Sequence, residues 1–217
     1  SLARNMKSIT SFFPPASAAA SVPIPNPPRP SPAEVDSKNR PHADNDEQDF
    51  VDFFRGKCKH TTRRNSIVMG RRIAVFGRQH VYGMDVTHPL SEVPVSFVAW
   101  AESNKYKFNS ITCNLYEDKQ DNIAWHSDAL NALDSPEVVS LSFALNKEHR
   151  GSRLASMEFR WKHGAHPNGS KSKTEALFHG TAVRWNAKKH KKLRCEHRVA
   201  ATRRPRLNLT LRILKQS

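Results

Sequence analysis

From about residue 71 onward, the hydrophobic residues of this chain fall into short β-rich segments separated by turn residues. The segments lie at 71–76, 93–100, 110–116, 138–145, 155–161, 176–178, 182–185 and 206–214. Many short strands with few helical patterns between them are typical of a sandwich or barrel. An acidic stretch followed by Phe50, Val51, Phe53 and Phe54 predicts a short helix that covers one end of the core. The sequence therefore predicts a mostly β domain of α+β character.

The last segment has the clearest alternation of polar and apolar residues. Its polar positions are Arg206, Asn208, Thr210 and Arg212, and the residues between and after them are Leu207, Leu209, Leu211 and Ile213. With a period of two, one face of this strand is apolar and the other carries two guanidinium groups. An ordinary half-exposed strand has the same pattern. The alternative is a site for a dicarboxylate, because the planar fork of Arg matches a carboxylate.

The N-terminal part has a different composition. Residues 14–41 hold nine of the 14 prolines, and such a segment cannot bury enough apolar surface to offset its ordering, so 14–43 is expected to be a disordered linker. Ahead of it, Ile9, Phe12 and Phe13 are apolar, and residues 1–13 resemble the PIP box that docks on DNA sliding clamps. Met6 stands where that motif usually has Gln. Chance hydrophobicity of a tail is the alternative for so short a motif.

The charge of the chain favours a polyanionic partner. With 35 Lys and Arg against 20 Asp and Glu, the formal charge is +15, and nucleic acid is the commonest such partner. The stretch 184–215 holds twelve Lys or Arg and one acidic residue, so this end is expected to grip phosphates without reading sequence. Three widely spaced cysteines fit neither a disulfide framework nor a zinc cluster, and no apolar run reaches membrane-helix length. We expect a soluble, intracellular monomer.

A candidate metal site begins at His126 and Asp128. Residues two apart in an extended segment point the same way, so these side chains can bind one metal together. A third ligand must come from His179, His190 or His197. Two imidazoles and one carboxylate leave three coordination positions open, which suits non-haem Fe(II) oxygen chemistry. A single His-x-Asp is more often a pair of ordinary exposed polar residues.

Taken together, these motifs resemble one family. The order Asn114-x-Tyr116, His126-x-Asp128, a distal His197 and then Arg-x-Asn-x-Thr-x-Arg from Arg206 is similar to the AlkB family of Fe(II)- and 2-oxoglutarate-dependent dioxygenases, most closely its double-stranded-DNA repair members. The resemblance covers roughly residues 68–217. It implies a double-stranded β-helix, or jelly roll, within a domain spanning 44–217, with a few flanking helices and a base-recognition lid at about 68–95.

The resemblance assigns roles one position at a time. It makes His126, Asp128 and His197 the iron ligands. Arg206 with Tyr116 would hold the distal carboxylate of 2-oxoglutarate, and Arg212 with Asn114 and Asn208 would hold the end nearer the metal.

The other two histidines are weaker candidates for the third ligand. His190 lies within the basic run 188–192, where a solvated loop is expected, and His179 is weaker still. Trp125 adjoins the first ligand and either lines the site or packs outward.

The activity implied by the resemblance is oxidative dealkylation of N-alkylated DNA bases, which consumes O2 and 2-oxoglutarate and releases succinate, CO2 and an aldehyde. In a duplex the target nucleotide must be flipped out, and Phe76, His80 and Tyr82, with Arg72 before them, are candidates for the stacking and lid surface. Core packing is the alternative for these aromatics. Such a repair enzyme would work in the nucleus, recruited by the clamp motif.

One departure from the family pattern leaves the lesion open. Close relatives often carry an acidic residue just after His-x-Asp, whereas Ala129, Leu130 and Asn131 follow Asp128 here. The alternatives to DNA repair are an RNA demethylase, a protein hydroxylase and a non-catalytic nucleic-acid-binding module that has kept the fold.

Overall fold

The computed structural model describes residues 33–36, 44–60, 71–78, 87–119, 121–162 and 172–215, which form strands, three α-helices, three short 3-10 helices and the loops between them. The helices α1 to α3 are Asp44–Lys57, Val95–Ser103 and Ala187–Lys192. The strands β1 to β11 are Ala33–Asp36, Arg72–Gly77, Thr87–His88, Ser110–Tyr116, Ile123–His126, Leu133–Ala144, Ala155–Trp161, Ser172–Leu177, Thr181–Asn186, Cys195–Val199 and Arg206–Leu214. The predicted clamp motif with Ile9, Phe12 and Phe13 and most of the predicted linker lie outside the described residues.

The described strands form two sheets. The larger sheet has the order β1-β9-β6-β11-β4-β2-β3, and the smaller has the order β5-β10-β7-β8. Every strand pair is antiparallel except β2 with β3. Strand β11, the last in the chain, lies between β4 and β6 at the middle of the larger sheet. This arrangement confirms the predicted mostly β fold with a double-stranded β-helix core.

The apolar face of β11 turns away from the smaller sheet and carries helices. Leu207, Leu209 and Leu211 are fully buried there, in one hydrophobic cluster with side chains of α1 and α2. We call this cluster the outer cluster. Phe54 of α1 packs edge-on against Phe97 of α2, with ring centroids 5.2 Å apart. The predicted helix after the acidic stretch is therefore α1, and it covers the outside of the larger sheet. None of the helices in the described ranges is long and apolar enough to cross a membrane.

A second cluster fills the space between the two sheets. Val183 and Trp185 of the larger sheet meet Met157, Phe159 and other buried side chains of the smaller one. The polar face of β11 looks into this same interior, because residues of one strand alternate between its two faces. The half-exposed-strand interpretation of β11 is therefore wrong, since Arg206, Asn208, Thr210 and Arg212 are all buried.

One predicted strand is a helix. The β-branched segment 93–100 forms the start of α2, which begins after Pro94. Val93, Phe97 and Ala101 are spaced four apart and are all buried, whereas Val95 is 82% exposed. Packing one side of a helix against the larger sheet buries these residues, and that tertiary contact outweighs the local preference of valine for strands.

Gly77, at the end of β2, provides a test of how closely this strand end packs against the residue before β4. Gly77 has a φ of 74°, and a Cβ added there would meet the backbone carbonyl oxygen of Asn109. We expect Gly77→Ala to lower the free energy of unfolding by at least about 1–3 kcal/mol, because both the left-handed backbone and the clash are unfavourable. Thermal unfolding followed by circular dichroism measures this, at about 2–4 °C per kcal/mol for a chain of this size.

The matched control is Gly56→Ala in α1, where an added Cβ meets nothing within 4 Å. Alanine is favoured over glycine in a helix by up to about 1 kcal/mol, so this variant should be as stable as the wild type or more so. Equal stability of the two variants would contradict the role given to Gly77.

Candidate active site

The polar face of β11 provides one wall of the candidate site. Arg206 lies opposite Tyr116 of β4, and Asn208 lies opposite Asn114. On its other side, Asn208 lies opposite Ser142 of β6. The sequence pattern thus places two Arg, two Asn and a Tyr on one buried surface between the sheets.

Arg206 is a fully buried cation with few protein partners. Its guanidinium carbon lies 4.0 Å from the centroid of the Tyr116 ring, and Nη1 donates to Ser142 Oγ at 3.4 Å. Within the described part of the chain, Nε and Nη2 have no hydrogen-bond partner, and neither has the Tyr116 hydroxyl. Burial lowers the pKa of Arg206. A buried guanidinium of this kind fits the carboxylate of a ligand, which would supply the missing hydrogen bonds and the counter-charge.

Arg212 and Asp128 form a buried ion pair across the two sheets. Arg212 Nη2 donates to Asp128 Oδ1 at 2.9 Å, and Arg212 Nη1 donates to Thr112 Oγ1 at 3.2 Å. The second carboxylate oxygen, Asp128 Oδ2, accepts from Trp185 Nε1 at 2.9 Å. Burial alone would raise the pKa of Asp128, but the Arg212 guanidinium, His197 and these hydrogen bonds hold it well below its usual range. Asp128 is therefore an ionised carboxylate in the interior.

The two predicted imidazole ligands lie next to this carboxylate. His126 at the end of β5 faces His197 in β10 across the strand pair, with ring centroids 4.2 Å apart. His197 Nε2 lies 3.9 Å from Asp128 Oδ2. Burial lowers the pKa of His126, and burial together with nearby His126 lowers the pKa of His197 to about 3. Both rings are therefore neutral near pH 7, the form that binds metals.

The hydrogen bonds of these side chains are compatible with metal binding. Within the described ranges, no three His, Cys, Asp or Glu side chains already converge on one point as metal ligands. His126 Nδ1 lies 2.8 Å from the Ala124 carbonyl oxygen, which leaves Nε2 for a metal. The Asp128 carboxylate has about four acceptor sites, so it can bind a metal while it keeps its hydrogen bonds from Arg212 and Trp185. Two neutral imidazoles and one carboxylate make a donor set suited to Fe(II).

The two asparagines are held by other parts of the protein. Asn208 Nδ2 donates to Ser140 Oγ and to the Leu141 carbonyl oxygen, each at 2.7 Å, and its Oδ1 accepts from Thr210 at 3.1 Å. Asn114 Oδ1 accepts from Arg71 Nε at 2.9 Å. Asn208 therefore fixes the strand and its neighbours, while Arg71 is a residue near the site that the sequence pattern did not single out.

Two of the predicted substrate residues, Phe76 and Arg72, lie away from the candidate site. Phe76 is fully buried in the outer cluster and stacks on His88 with centroids 5.0 Å apart. Arg72 forms an ion pair with Glu117. The core alternative thus describes Phe76 better than a base-stacking role, because its ring has no exposed face. His80 and Tyr82 lie outside the described residues.

The prediction of a solvated loop at His190 is wrong. His190 is buried in α3, stacked at 12° to the Trp185 ring and 5.5 Å from the Phe159 centroid. The lysines around it are exposed, because Ala187 and His190 are three apart and share the inner side of the helix. His190 lies behind His197, with ring centroids 6.4 Å apart.

Trp185 is the main residue that the sequence did not reveal. It holds Asp128 through its Nε1 proton, and its ring centroid lies 5.0 Å from that of His197. The available signal was the strand period of two, which places Trp185 on the same face of β9 as Val183 and Thr181.

The other two candidates are outside the site. His179 Nε2 lies 2.6 Å from the buried Glu47 carboxylate of α1, and its Nδ1 accepts from the Ala144 amide. Trp125 packs outward between Arg160 and Arg198, whose guanidinium carbons lie 4.2 and 4.8 Å from its ring centroid. These histidine and tryptophan side chains therefore stabilise the fold around the site.

An open cleft lies on the surface beside the loop that contains Asp128. It has a volume of about 420 Å3 and is lined by Ser127, Asp128, Ala129, Leu130, Asn131, Lys162, Lys191, Arg194 and Glu196. Its volume is within the about 300–1,000 Å3 of small-molecule sites. The loop after His-x-Asp thus forms a wall of this cleft.

Known proteins are similar in sequence to about half of this chain. No family model matches the chain. Over 119 residues, the chain is 34% identical to the Mus musculus alpha-ketoglutarate-dependent dioxygenase alkB homolog 3, a match that covers 51% of this chain and 38% of that protein. The Homo sapiens alkB homolog 3 is 33% identical over 119 residues, with the same shares of each chain. The chain spans about 38% of the length of these curated relatives.

Solved structures share the fold. The structure of OsALKBH1 aligns with a TM-score of 0.56 and 14% identity, over 85% of this chain and 98% of that one. A prolyl hydroxylase from Trichoplax adhaerens, in complex with a hypoxia inducible factor peptide, aligns with a TM-score of 0.51 and 12% identity, over 84% and 83% of the two chains. The double-stranded β-helix of this protein is thus the fold of those enzymes.

The hydrogen bond from Trp185 to Asp128 gives a test of the candidate metal site. We expect Trp185→Phe to weaken Mn(II) or Fe(II) binding by about tenfold or more, because loss of a partner that orients a metal ligand typically has this effect. Isothermal titration calorimetry under anaerobic conditions measures the affinity. The matched control is Trp100→Phe in the outer cluster, which should leave the affinity unchanged. An equal effect of the two substitutions would exclude this role for Trp185.

Proposed function

We propose that this chain is an Fe(II)- and 2-oxoglutarate-dependent dioxygenase of the AlkB type that oxidatively removes alkyl groups from bases in DNA. One observation carries the proposal. Two neutral imidazoles, an ionised carboxylate and two buried arginines face one interior between the sheets. A binding-only protein has no need to bury this set of charges, since burying a charge is costly unless it has a role or a partner.

His126, Asp128 and His197 would hold Fe(II). Their support is the neutral state of both rings, the ionised state of the carboxylate and the 3.9 Å distance between His197 and Asp128. When bound, Fe(II) with 2-oxoglutarate and O2 would supply the oxidising power for hydroxylating an N-alkyl carbon. Trp185 and the backbone carbonyl of Ala124 would keep the ligands oriented.

Arg206 and Tyr116 would hold the distal carboxylate of 2-oxoglutarate. The donors are Nε and Nη2 of Arg206 and the hydroxyl of Tyr116, which have no hydrogen-bond partner among the described residues, and together they match the acceptor atoms of a carboxylate. Arg212 would act at the end nearer the metal, where its Nε is buried without a partner in the described part of the chain. Asn114 would lie beside it, and Asn208 would brace β11 against β6.

The overall reaction balances without another reactant. For a methyl group on a base nitrogen, O2 and 2-oxoglutarate are consumed, one oxygen atom enters the methyl carbon and the other enters succinate, and CO2 leaves. The hydroxymethyl group then releases formaldehyde, and the nitrogen regains its proton. The protein residues contribute orientation and exclusion of water, because the site lies between two packed sheets.

The nucleic-acid substrate is supported by the charge of the chain. A formal charge of +15 attracts a polyanion, and the cleft beside Asp128 has cations along it. The matched relatives are named as dioxygenases of the alkB homolog 3 type. DNA is the proposed substrate and the nucleus the proposed location, with RNA demethylation and protein hydroxylation as the other outcomes of the assay below.

Anaerobic titration with Fe(II) and 2-oxoglutarate tests the enzyme proposal first. We expect the weak visible metal-to-ligand charge-transfer band in the wild type and its loss in His126→Ala, because the removed imidazole is a proposed metal ligand. His60→Ala, at an exposed position, is the control and should keep the band. If wild type and His126→Ala behave alike, the proposal fails.

The second half of the same experiment identifies the substrate. Wild type is incubated with alkylated duplex DNA, alkylated RNA and a proline-containing peptide, and formaldehyde and hydroxylated peptide are measured. Turnover should be highest on DNA. Arg212→Ala should abolish 2-oxoglutarate-coupled turnover while leaving duplex binding largely intact, since Arg212 is buried away from the surface. Because Arg212 also pairs with Asp128, circular dichroism must show that the variant is folded, and loss of both turnover and duplex binding would indicate misfolding. Preferred turnover of RNA or peptide would replace the DNA assignment.

Recruitment to the sliding clamp is a separate proposal, supported by the residues Ile9, Phe12 and Phe13. We expect deletion of residues 1–13 to abolish clamp binding in a pull-down while activity on short oligonucleotides stays unchanged. Replacing Ile9 and Phe12 by alanine in the full chain is the finer test. An unchanged affinity for the clamp in both variants would remove the recruitment proposal.

A further inference from the structure

The basic residues of the stretch 184–215 differ in their burial and in their ion pairs. Arg206 and Arg212 are buried in the candidate site. Arg198 donates to Glu158 at 2.8 Å, and Arg184 lies 3.7 Å from Glu137. These four arginines are either buried in the candidate site or paired with a carboxylate of the protein. The expectation that the whole stretch binds phosphates therefore applies only to its other basic side chains.

Two cations of this stretch line the same cleft as Asp128. Lys191, near the end of α3, and Arg194, in the turn after it, are both exposed and contribute to its wall together with Lys162 of the opposite strand end. No ion pair joins either Lys191 or Arg194 to a carboxylate of the described residues. The cleft thus carries two cations that the described protein does not neutralise.

The acidic residues of the cleft are already matched by other cations. Glu196 Oε1 lies 2.7 Å from Lys162 Nζ, and Glu196 Oε2 accepts from Arg160 at 2.8 and 3.0 Å. Asp128 is paired with Arg212. With both carboxylates neutralised, Lys191 and Arg194 set the sign of the potential at the mouth of the cleft, and that sign is positive.

The backbone keeps the two cations near each other. The Arg194 amide donates to the Lys191 carbonyl oxygen at 3.0 Å, and the Arg194 carbonyl oxygen accepts from the Lys162 amide at 3.0 Å. The first turn of α3 is capped by Asn186, which accepts from the Lys189 amide. Lys191 and Arg194, which we call the rim of the cleft, are therefore held in place by backbone hydrogen bonds and do not belong to a solvated loop.

We propose that this rim is the phosphate-binding side of the nucleic-acid site, in which Lys191 and Arg194 hold the phosphodiester backbone of the strand whose base enters the cleft toward Asp128. The inference rests on the function proposed above. It follows from the shared cleft, since Lys191 and Arg194, which have no ion pair within the described residues, line the same space as the loop that contains Asp128. Contacts of this kind position a strand without reading its sequence.

The matched test compares cations that line the cleft with a nearby cation that does not. Lys191→Gln and Arg194→Gln remove charge from the cleft, whereas Lys188→Gln removes the same charge from an exposed position of α3 that does not line it. The affinity of the full chain for a short fluorescent single-stranded oligonucleotide with one alkylated base is measured by anisotropy across a salt series. DNA and RNA versions of the same sequence are both used.

Each cleft variant should bind about fourfold more weakly at 0.15 M salt, and the slope of log affinity against log salt should fall by about 0.7 per lost phosphate contact. Arg194→Lys should keep the slope, because it keeps the charge. Lys188→Gln should match the wild type. The charge-transfer band with Fe(II) and 2-oxoglutarate should persist in all variants, which shows that the cofactor site is intact.

The results separate this inference from the proposed function. If Lys188→Gln weakens binding as much as Lys191→Gln, or if neither cleft variant changes the slope, the rim is overturned while turnover of the alkylated strand by the wild type still supports the enzyme. If the wild type binds and oxidises neither DNA nor RNA, the proposed substrate fails, and the rim fails with it. Loss of the salt slope in the two cleft variants alone supports the rim.

Discussion

The buried ion pair between Arg212 and Asp128 is the interaction on which both the fold and the candidate site depend. It joins the central strand of the larger sheet to the loop after β5 of the smaller one, at 2.9 Å and almost out of contact with water. Removing one partner of such a pair leaves an uncompensated charge in the interior, at a cost of about 3–5 kcal/mol. The carboxylate that is proposed to bind the metal thus also links the two sheets.

The sequence predicted the larger features of the fold because they follow from local periodicity. The segments 110–116, 155–161 and 206–214 coincide with strands β4, β7 and β11. The segment over α2 was predicted wrongly, because its valines favour a strand locally and its burial every fourth residue depends on a sheet made by distant parts of the chain. Pairing partners such as β4 with β11 are separated by about ninety residues, and no local pattern specifies them.

The candidate site was predictable where spacing along a strand fixes direction. Alternation in β11 placed Arg206 and Arg212 on one face, and they lie on one face of the structure. Trp185 and His190 were beyond such reasoning, since their importance comes from what lies across the interior from them. Whether a polar strand face is exposed or buried also depends on the opposite sheet, which is why the ordinary surface-strand interpretation of β11 looked reasonable from its sequence.

The placement of His126 has an energetic consequence. This ring stands at the end of β5, a four-residue edge strand whose partner in the described sheet is β10, and the other imidazole lies on β10 itself. An ion bound to both imidazoles would link β5 to β10 and so stabilise this short edge strand. Occupancy and local unfolding are then thermodynamically linked, so that every gain in binding free energy is also a gain in the resistance of that edge to fraying.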